Sequence, residues 1–262
     1  SPFRDLPREV SILVAASFFV AVGFGIVMPA IPVFAKSFGV NNAAIGLMVS
    51  AFAITRFASG LISGTLVDKF GERKVFSTGV FMVSLFTFLA GVAQNYEQLL
   101  FFRAAGGLGS SMFSVAASSV ILRSVSDDQR GQAQSVYQGS FIVGGMAGPA
   151  IGGLLSVISL RAPFFVYSIL LLCSGIVALF FLKGDSIGAK VKNSSAESAT
   201  TIREALAMPP YRIALVLAFI GTWVFFGMRA SILPVFVTEE LNSTTAVVGY
   251  GFAISAIVQG AI

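Results

Sequence analysis

Long apolar runs alternate with short polar segments along the whole chain, and this pattern predicts a series of membrane-crossing helices. A helix rises about 1.5 Å per residue, so about 20 apolar residues are enough to cross a bilayer core. Six such runs precede a long polar segment, and they cover approximately residues 10–34, 44–67, 75–92, 98–122, 131–158 and 162–182. Two more runs follow it, at 211–237 and 246–262. The pattern therefore predicts an all-α polytopic membrane protein.

The polar segment divides the chain into three predicted parts. Residues 1–182 are predicted to form a six-helix transmembrane bundle, residues 183–210 a cytosolic linker, and residues 211–262 the start of a second bundle. An internal repeat supports this division, because a Phe-Gly pair followed by Pro-Val-Phe occurs at 24–34 and again at 226–236. Parallel repeats of six spans build one large class of transporter. We expect a complete second half to extend beyond Ile262.

Composition agrees with a membrane protein and excludes several kinds of site. Hydrophobic residues make up 56% of the chain and charged residues 11%, whereas soluble domains carry about 25% charged residues. The sequence has no histidine and one cysteine, Cys173. A histidine metal site, a histidine proton relay and a disulfide within the chain are therefore excluded. No motif indicates a cofactor, a metal or an enzyme active site.

The cations are distributed with a strong bias between the two sides of the predicted membrane. With the N-terminus placed inside, twelve of the 17 Lys and Arg residues fall in inside segments and two, Lys36 and Arg161, fall outside. The other three lie within spans, at Arg56, Arg103 and Arg229. This positive-inside pattern predicts a multi-pass protein of a prokaryotic cytoplasmic (plasma) membrane with a cytosolic N-terminus. The net charge of +5 then reflects membrane topology, and no nucleic-acid partner is expected.

A charged link of about seven residues is predicted between the second and third spans. Asp68 ends a helix there, where the helix dipole disfavours a negative charge, so it needs a helix N-terminus or an arginine from elsewhere. Gly71 suits a turn with positive φ, and Gly64 suits close approach of a neighbouring helix. Arg73 and Lys74 supply nearby cations. The alternative is a simple charged topology anchor.

The fifth span carries a glycine stripe that suits close packing of helices in lipid. Gly144, Gly148 and Gly152 recur every four residues, and Gly153 follows directly. Pro149 removes a backbone donor and allows a bend. Two interpretations stay open for the stripe, because ordinary helix packing and a moving interface use the same small residues.

Two arginines within spans are candidates for chemistry in a cavity. A membrane-buried arginine such as Arg56 or Arg103 should face a cavity or a partner; the alternative is a structural cation bound to backbone carbonyls, or snorkelling for Arg103. Phe24, Met28 and Gln138 are further candidates to line an apolar cavity with few polar groups. All carboxylates of the chain lie in links or at span ends, which weakens a prediction of proton coupling more than one of transport.

The motifs, taken in order, resemble the major facilitator superfamily. Gly64-x-x-x-Asp68-x-x-Gly71-x-Arg73-Lys74 is similar to the family's loop between helices two and three, with Glu72 where a first arginine is usual. Three further motifs resemble those of the twelve-span drug:proton antiporters, namely Gly23-x5-Pro29-x-Ile31-Pro32, Arg103-x-x-Gly106-Gly107-x-Gly109 and Gly144-x-x-x-Gly148-Pro149-x-x-Gly152-Gly153.

This resemblance implies a secondary transporter that exports small lipophilic compounds by proton antiport and alternating access. Asp68 is implied to pair with the second half of the protein and lock the outward-facing state, with Gly64 at that contact. The implied partners are a small-molecule substrate, protons and the lipid bilayer, and the complete protein is expected to be monomeric. Two alternatives stay open: a symporter or uniporter for a sugar, peptide or metabolite, and a non-transporting membrane sensor.

Overall fold

The computed structural model describes residues 7–182 and 202–222, together with Val224 and Leu241. The chain separates into two compact units, residues 1–191 and residues 192–262. The predicted eighth span and most of the predicted seventh, including Arg229, lie outside the described residues.

The first unit consists of helices, and its described residues contain no strand. In chain order the helices are α1 (Arg8–Val27), α2 (Ala30–Lys36), α3 (Asn42–Ala58), α4 (Gly60–Phe70), α5 (Glu72–Val92), α6 (Tyr96–Ser124), α7 (Arg130–Ile158) and α8 (Ala162–Phe181). A single 3-10 turn, Asp127–Gln129, precedes α7. These helices follow the six apolar runs, which confirms the predicted all-α membrane fold.

Length and composition allow most of these helices to cross a membrane. Four helical segments are both long enough and apolar enough to cross it, namely Arg8–Lys36, α5, α6 and α8. The bent pair of α3 and α4 makes a fifth span if it is counted as one. With 29 residues, α7 is about 44 Å long, which also exceeds the bilayer core. Large apolar side chains such as Phe57 and Val157 are each 87% exposed, as expected of a surface that faces lipid.

Two of the spans are broken, which the hydrophobic pattern did not predict. The first breaks at Met28 and Pro29 between α1 and α2, where proline cannot donate a helical hydrogen bond. The second bends by 45° between α3 and α4. Ser59 lies at that bend, and its hydroxyl donates to the Thr55 carbonyl at 2.7 Å. A side-chain bond of this kind competes with the helical ladder and favours a bend.

The predicted seven-residue link between the second and third spans is wrong, because one residue makes the connection. Helix α4 ends at Phe70, α5 begins at Glu72, and Gly71 alone lies between them with φ +83°. Glycine adopts this conformation without steric penalty, so the chain reverses direction in a single step. The charged residues of this region therefore lie in the end turns of two helices. The positive φ predicted for Gly71 is confirmed.

The core of the first unit lies where α1, α5, α6, α7 and α8 pack most extensively. Helix α1 packs against α7 and α8, α5 packs against α6 and α8, and α3 and α4 pack on α6. Leu13, Phe76 and Phe164 are fully buried there. Serines link the helices inside this core, as where the Ser174 hydroxyl of α8 donates to the Ala16 carbonyl of α1 at 2.8 Å.

The second unit contains two described helices, α9 (Ile202–Ala207) and α10 (Pro209–Thr222). Helix α9 and the start of α10 fall inside the segment predicted as a linker, residues 183–210. Pro209 opens α10, and the first turn of a helix tolerates proline because its N–H groups have no intrahelical partner. The predicted domain boundaries stay a prediction.

Candidate functional site

A cluster of three charged side chains joins the ends of α4, α5 and α6. The Arg123 guanidinium lies between two carboxylates: its Nη2 is 3.2 Å from Oδ1 of Asp68, and its Nη1 is 2.7 Å from Oε1 of Glu72. The Ser119 hydroxyl, one turn earlier on α6, donates to the same Glu72 oxygen at 3.1 Å. We call these four residues the α4–α6 charge cluster.

The helix ends explain why the charges of this cluster are placed as they are. Glu72 begins α5 and Arg123 lies in the last turn of α6, and both positions are favoured by the helix dipole. Asp68 lies in the last turn of α4, where the dipole is unfavourable. The sequence predicted that this acid needs a helix N-terminus or an arginine from elsewhere, and the structure shows the arginine, Arg123.

Of this cluster the sequence predicted only Asp68 as a site residue, and Glu72 is the buried member among the three that it missed. Its side chain is 6% exposed, whereas that of Asp68 is 72% exposed. Glu72 stands where the family usually has an arginine, so in the sequence it is only a departure from the family's motif. Its place directly after a turn glycine, at a helix N-terminus, was the available indication that it stabilises the fold.

The other predicted residues of this region are open to their surroundings. A Cβ added to Gly64 would meet nothing within 4 Å. Arg73 is half-buried and Lys74 is exposed, and neither forms an ion pair within the described part of the chain. The predicted contact of Asp68 and Gly64 with the second half of the protein stays a prediction.

The predicted fourth-helix motif lies where α6 meets two neighbours. Arg103 is 7% exposed, and its guanidinium lies over the Phe52 ring of α3, 4.5 Å from the ring centre. Gly107 lets α3 approach, because a Cβ there would be 2.6 Å from the Phe52 carbonyl oxygen. Gly109 does the same for α5, since a Cβ there would be 2.8 Å from Cβ of Met82.

The predicted glycine stripe of α7 packs directly against α1. A Cβ on Gly144 would lie 2.8 Å from Cβ of Ala21, and one on Gly148 would lie 2.5 Å from Cα of Gly25. Gly152 meets the backbone of Ile26 in the same way. Close packing of the two backbones is therefore confirmed. Gly153 and Pro149 are exposed on α7, and a Cβ on Gly153 would meet nothing within 4 Å.

Pro149 has a specific consequence at this α1–α7 contact. Because proline has no N–H, the carbonyl four residues earlier, that of Gly145, loses its helical partner. That carbonyl oxygen lies 2.9 Å from the position that a Cβ on Gly25 would take. The freed oxygen thus faces the Cα hydrogens of Gly25, an arrangement that supports a weak C–H···O bond.

Among the four predicted cavity residues, Arg56 has the strongest polar contacts. Its Nη1 donates to the Ser110 hydroxyl at 3.1 Å and its Nη2 to the Ser114 hydroxyl at 3.0 Å. Phe24 is half-buried against the core, and Met28 and Gln138 are exposed. The structure describes no polar contact that joins these three to Arg56.

A cavity of about 620 Å³ is found at the other end of the first unit, near the predicted outer side. None of the predicted cavity residues takes part in it. It is lined by Pro32, Val33, Lys36, Ser37, Asn42, Ile45 and Leu160.

Comparison with known proteins identifies the family. The model of the Major Facilitator Superfamily matches residues 13–262. The chain belongs to this family. Its members are transporters rather than enzymes, which confirms both the predicted membership and the prediction that the protein is not an enzyme.

Similar curated proteins from this family are named for drug resistance. Multidrug resistance protein 2 of Bacillus subtilis (strain 168) is 26% identical over 258 residues, which cover 96% of this chain and 64% of that protein. The quinolone resistance protein NorA of Staphylococcus aureus (strain MRSA252) is 27% identical over 215 residues, which cover 81% of this chain and 55% of that protein. The chain thus spans between about half and two thirds of the length of these relatives.

Solved structures share the fold at low identity. The human organic anion transporter MFSD10 (TETRAN) superposes with a TM-score of 0.78 at 17% identity, covering 97% of this chain and 70% of that one. A peptide transporter, POT (E310Q mutant), superposes with a TM-score of 0.62 at 16% identity, covering 86% of this chain and 48% of that one. These likenesses confirm the fold of a facilitator-type helical bundle.

Proposed function

We propose that the chain belongs to a transporter that exports small, lipophilic compounds by alternating access and is driven by proton entry. The curated relatives named for multidrug and quinolone resistance support export of such compounds. The proposed setting is the cytoplasmic membrane of a prokaryote, with the N-terminus in the cytosol and the complete protein as a monomer.

The observation that carries the gating part of this proposal is the position of Asp68. The side chain of this acid is 72% exposed although its Oδ1 atom pairs with Arg123. Gly64, one helical turn earlier on α4, leaves open space beside it. A carboxylate has lone pairs on two oxygens and accepts a second charged donor. Asp68 is therefore available to a partner from the other half of the protein, while Glu72 keeps Arg123 in place.

The proton pathway of this proposal uses acids at the span ends. The α4–α6 charge cluster contains two carboxylates, Asp68 and Glu72. Glu72 is buried and paired, which leaves Asp68 as the more accessible of the two. The carrier is accordingly proposed to be Asp68 or an acid in the part of the protein beyond the described residues.

Transport by the full-length protein in proteoliposomes tests the proposal. Export of a lipophilic fluorescent dye should rise with an imposed pH gradient and collapse when a protonophore is added. Dye export that ignores the gradient would contradict proton coupling.

A pair of matched variants tests the gate in the same assay. Asp68→Asn should abolish dye export while the protein stays folded in the membrane. Asp127→Asn is the control, because Asp127 is also exposed and also pairs with one arginine, Arg130, but lies in the turn before α7. If the Asp68→Asn variant and the control export the dye equally well, Asp68 is not part of the gate.

A symporter or uniporter for a sugar, peptide or metabolite is the second candidate. It is favoured by the same carboxylates, since none of them lies in the middle of a described span, where a proton antiporter usually has a titrating acid. The fold likeness to a peptide transporter is compatible with it. Substrate uptake driven by the inward proton gradient, in place of substrate export driven by it, would favour this candidate. A non-transporting sensor would move no substrate in either direction.

A further inference from the structure

Arg56 lies at the middle of a bent span, far from both ends. The α3–α4 pair covers Asn42–Phe70, so Arg56 is 14 residues from each end. That separation corresponds to about 21 Å along the helix on either side. A guanidinium so deep does not reach the lipid headgroups by snorkelling, and it requires a polar partner inside the protein.

The immediate partners of Arg56 are neutral. Its two terminal nitrogens donate to the hydroxyls of Ser110 and Ser114, at 3.1 and 3.0 Å. A serine hydroxyl that accepts a hydrogen bond keeps its own hydrogen to donate. The guanidinium and the two hydroxyls therefore present several donors to the same region, and these three residues together are called the Arg56 cradle.

Arg56 is exposed in the first unit, whereas Ser110 is buried and Ser114 is half-buried, so one side of the cradle stays open to a ligand. Arg56 is near enough to Tyr137 on α7 and Tyr167 on α8 to interact electrostatically with both. Gly107 and Thr55 fix its position along α6: a Cβ on Gly107 would be 3.1 Å from the Arg56 backbone nitrogen, and the Thr55 hydroxyl donates to the Ala104 carbonyl at 2.7 Å.

A second cation, Arg103, lies on the face of α6 that carries Ser110 and Ser114, and unlike Arg56 it is buried. Arg103, Ser110 and Ser114 are separated by seven and four residues, which places them within about 40° of one another around the helix. Arg103 is 7% exposed, packs on Phe52 one turn from Arg56, and its Nε is buried without a hydrogen-bond partner. The seam between α3 and α6 thus contains two cations about 10 Å apart along the axis.

No acid in the described part of the chain neutralises this pair of cations. The ion pairs formed by the described residues use Arg123 and Arg130, at the opposite end of the spans from the outer surface. Two uncompensated cations at membrane depth are unfavourable. An anion that enters the cradle would offset this, and arginine binds a carboxylate through two parallel hydrogen bonds.

We infer that Arg56, Ser110 and Ser114 form a subsite for the carboxylate of a transported compound. The subsite selects amphipathic organic anions and zwitterions, with the carboxylate in the cradle and the apolar body beside Phe52. This inference rests on the transport function proposed above, and it names the chemical class of compound that the transporter prefers.

A matched pair of compounds tests this preference in the full-length protein. Radiolabelled 2-naphthylacetate carries the carboxylate, and 2-naphthylacetamide has nearly the same shape without the charge. Charge-assisted hydrogen bonds account for about 10- to 100-fold in affinity. We expect the acid to be transported with a kcat/KM higher than that of the amide by about this factor.

Variants of the cradle separate binding from a structural role. Arg56→Gln should lower kcat/KM for the acid by about 10- to 100-fold and change that for the amide by less than about twofold. Arg56→Lys should restore part of the acid's preference, because it keeps the charge and loses the two-pronged geometry. Arg130→Gln is the control, since Arg130 is exposed and forms one surface ion pair.

The outcomes that overturn the inference are distinct from those that overturn transport. If the wild-type protein moves the amide as well as the acid, or if Arg56→Gln slows both compounds equally, the carboxylate subsite is wrong while transport stands. If no compound is moved at all, transport fails. Equilibrium binding of the acid and the amide to purified protein then decides the subsite separately, and equal affinity for the two compounds would refute it.

Discussion

Two glycines on one helix give a quantitative test of the α1–α7 contact. Gly148 packs on α1, where an added Cβ would lie 2.5 Å from both C and Cα of Gly25 and 2.6 Å from the Ile26 nitrogen. Gly153, five residues later, has nothing within 4 Å of the same added atom. The substitutions Gly148→Ala and Gly153→Ala therefore differ in what the new methyl group meets and not in chemistry.

The expected difference follows from these distances. Ordinary van der Waals contact begins at 3.4 Å, so the methyl group of Gly148→Ala is too close by about 0.9 Å, and the atoms it meets are backbone. The two helices must separate by a similar amount, and overpacking of this kind costs about 1–3 kcal/mol. Both variants gain about 0.5–1 kcal/mol of helix propensity, which cancels in the comparison. Gly148→Ala should thus be about 1–3 kcal/mol less stable than Gly153→Ala.

Unfolding of the purified full-length protein in mixed micelles, titrated with SDS, measures this difference. Gly153→Ala should be at least as stable as the wild-type protein. Equal unfolding free energies for the two variants would show that α1 and α7 are not in backbone contact at Gly148. The same result would also remove the basis for the contact between the Gly145 carbonyl and Gly25.

Three further predictions concern the remaining contacts. Glu72→Gln should lower the unfolding free energy by about 1–3 kcal/mol, because it weakens a buried, charge-assisted bond to Arg123. Asp68→Asn should change the unfolding free energy by less than about 1 kcal/mol, because that pair is exposed. SDS titration of both variants tests this order, and the reverse order would contradict it. Arg161→Lys should be destabilised by about 1–2 kcal/mol, since Arg161 donates to the carbonyls of Gly91 and Ala93 at 3.2 and 3.0 Å and lysine lacks the fork that reaches both; wild-type stability would refute that role. Thr55→Val should lower stability by about 1 kcal/mol by removing the hydrogen bond that links α3 to the Ala104 carbonyl of α6. Thr65→Val should not, because the Thr65 hydroxyl bonds only within its own helix at an exposed position.

Most of the fold could be predicted from the sequence because it follows from the order of apolar and polar residues along the chain. Six apolar runs predicted the helices of the first unit, of which four, or five with the bent α3–α4 pair, are long and apolar enough to cross a membrane. The glycine spacing of four residues in α7 predicted a close helix contact, which α1 makes. The break of the first span had an indication in Pro29. The bend at Ser59 had none in the hydrophobic pattern, because a serine hydroxyl that turns back to Thr55 competes with the helix without changing its hydropathy.

The candidate site was less predictable, because it depends on pairs of residues distant in the sequence. The need of Asp68 for a cation followed from the helix dipole, but its partner, Arg123, lies 55 residues away and only the packing of α4 on α6 identifies it. Glu72 was missed for the same reason, since its burial depends on α6. The serine partners of Arg56 could not be predicted either, because a polar residue in a span does not indicate which neighbouring helix it faces.

The single residue between α4 and α5 has a mechanical consequence. Because Gly71 alone connects the two helices, any tilt of α4 is transmitted to α5 through one pair of backbone torsions. The Arg123 bridge ties the same two helix ends to α6. These three helices are therefore expected to move as one unit at this end of the bundle, and lengthening the connection by a few glycines should remove the backbone coupling of α4 to α5 and leave the Arg123 bridge as their link.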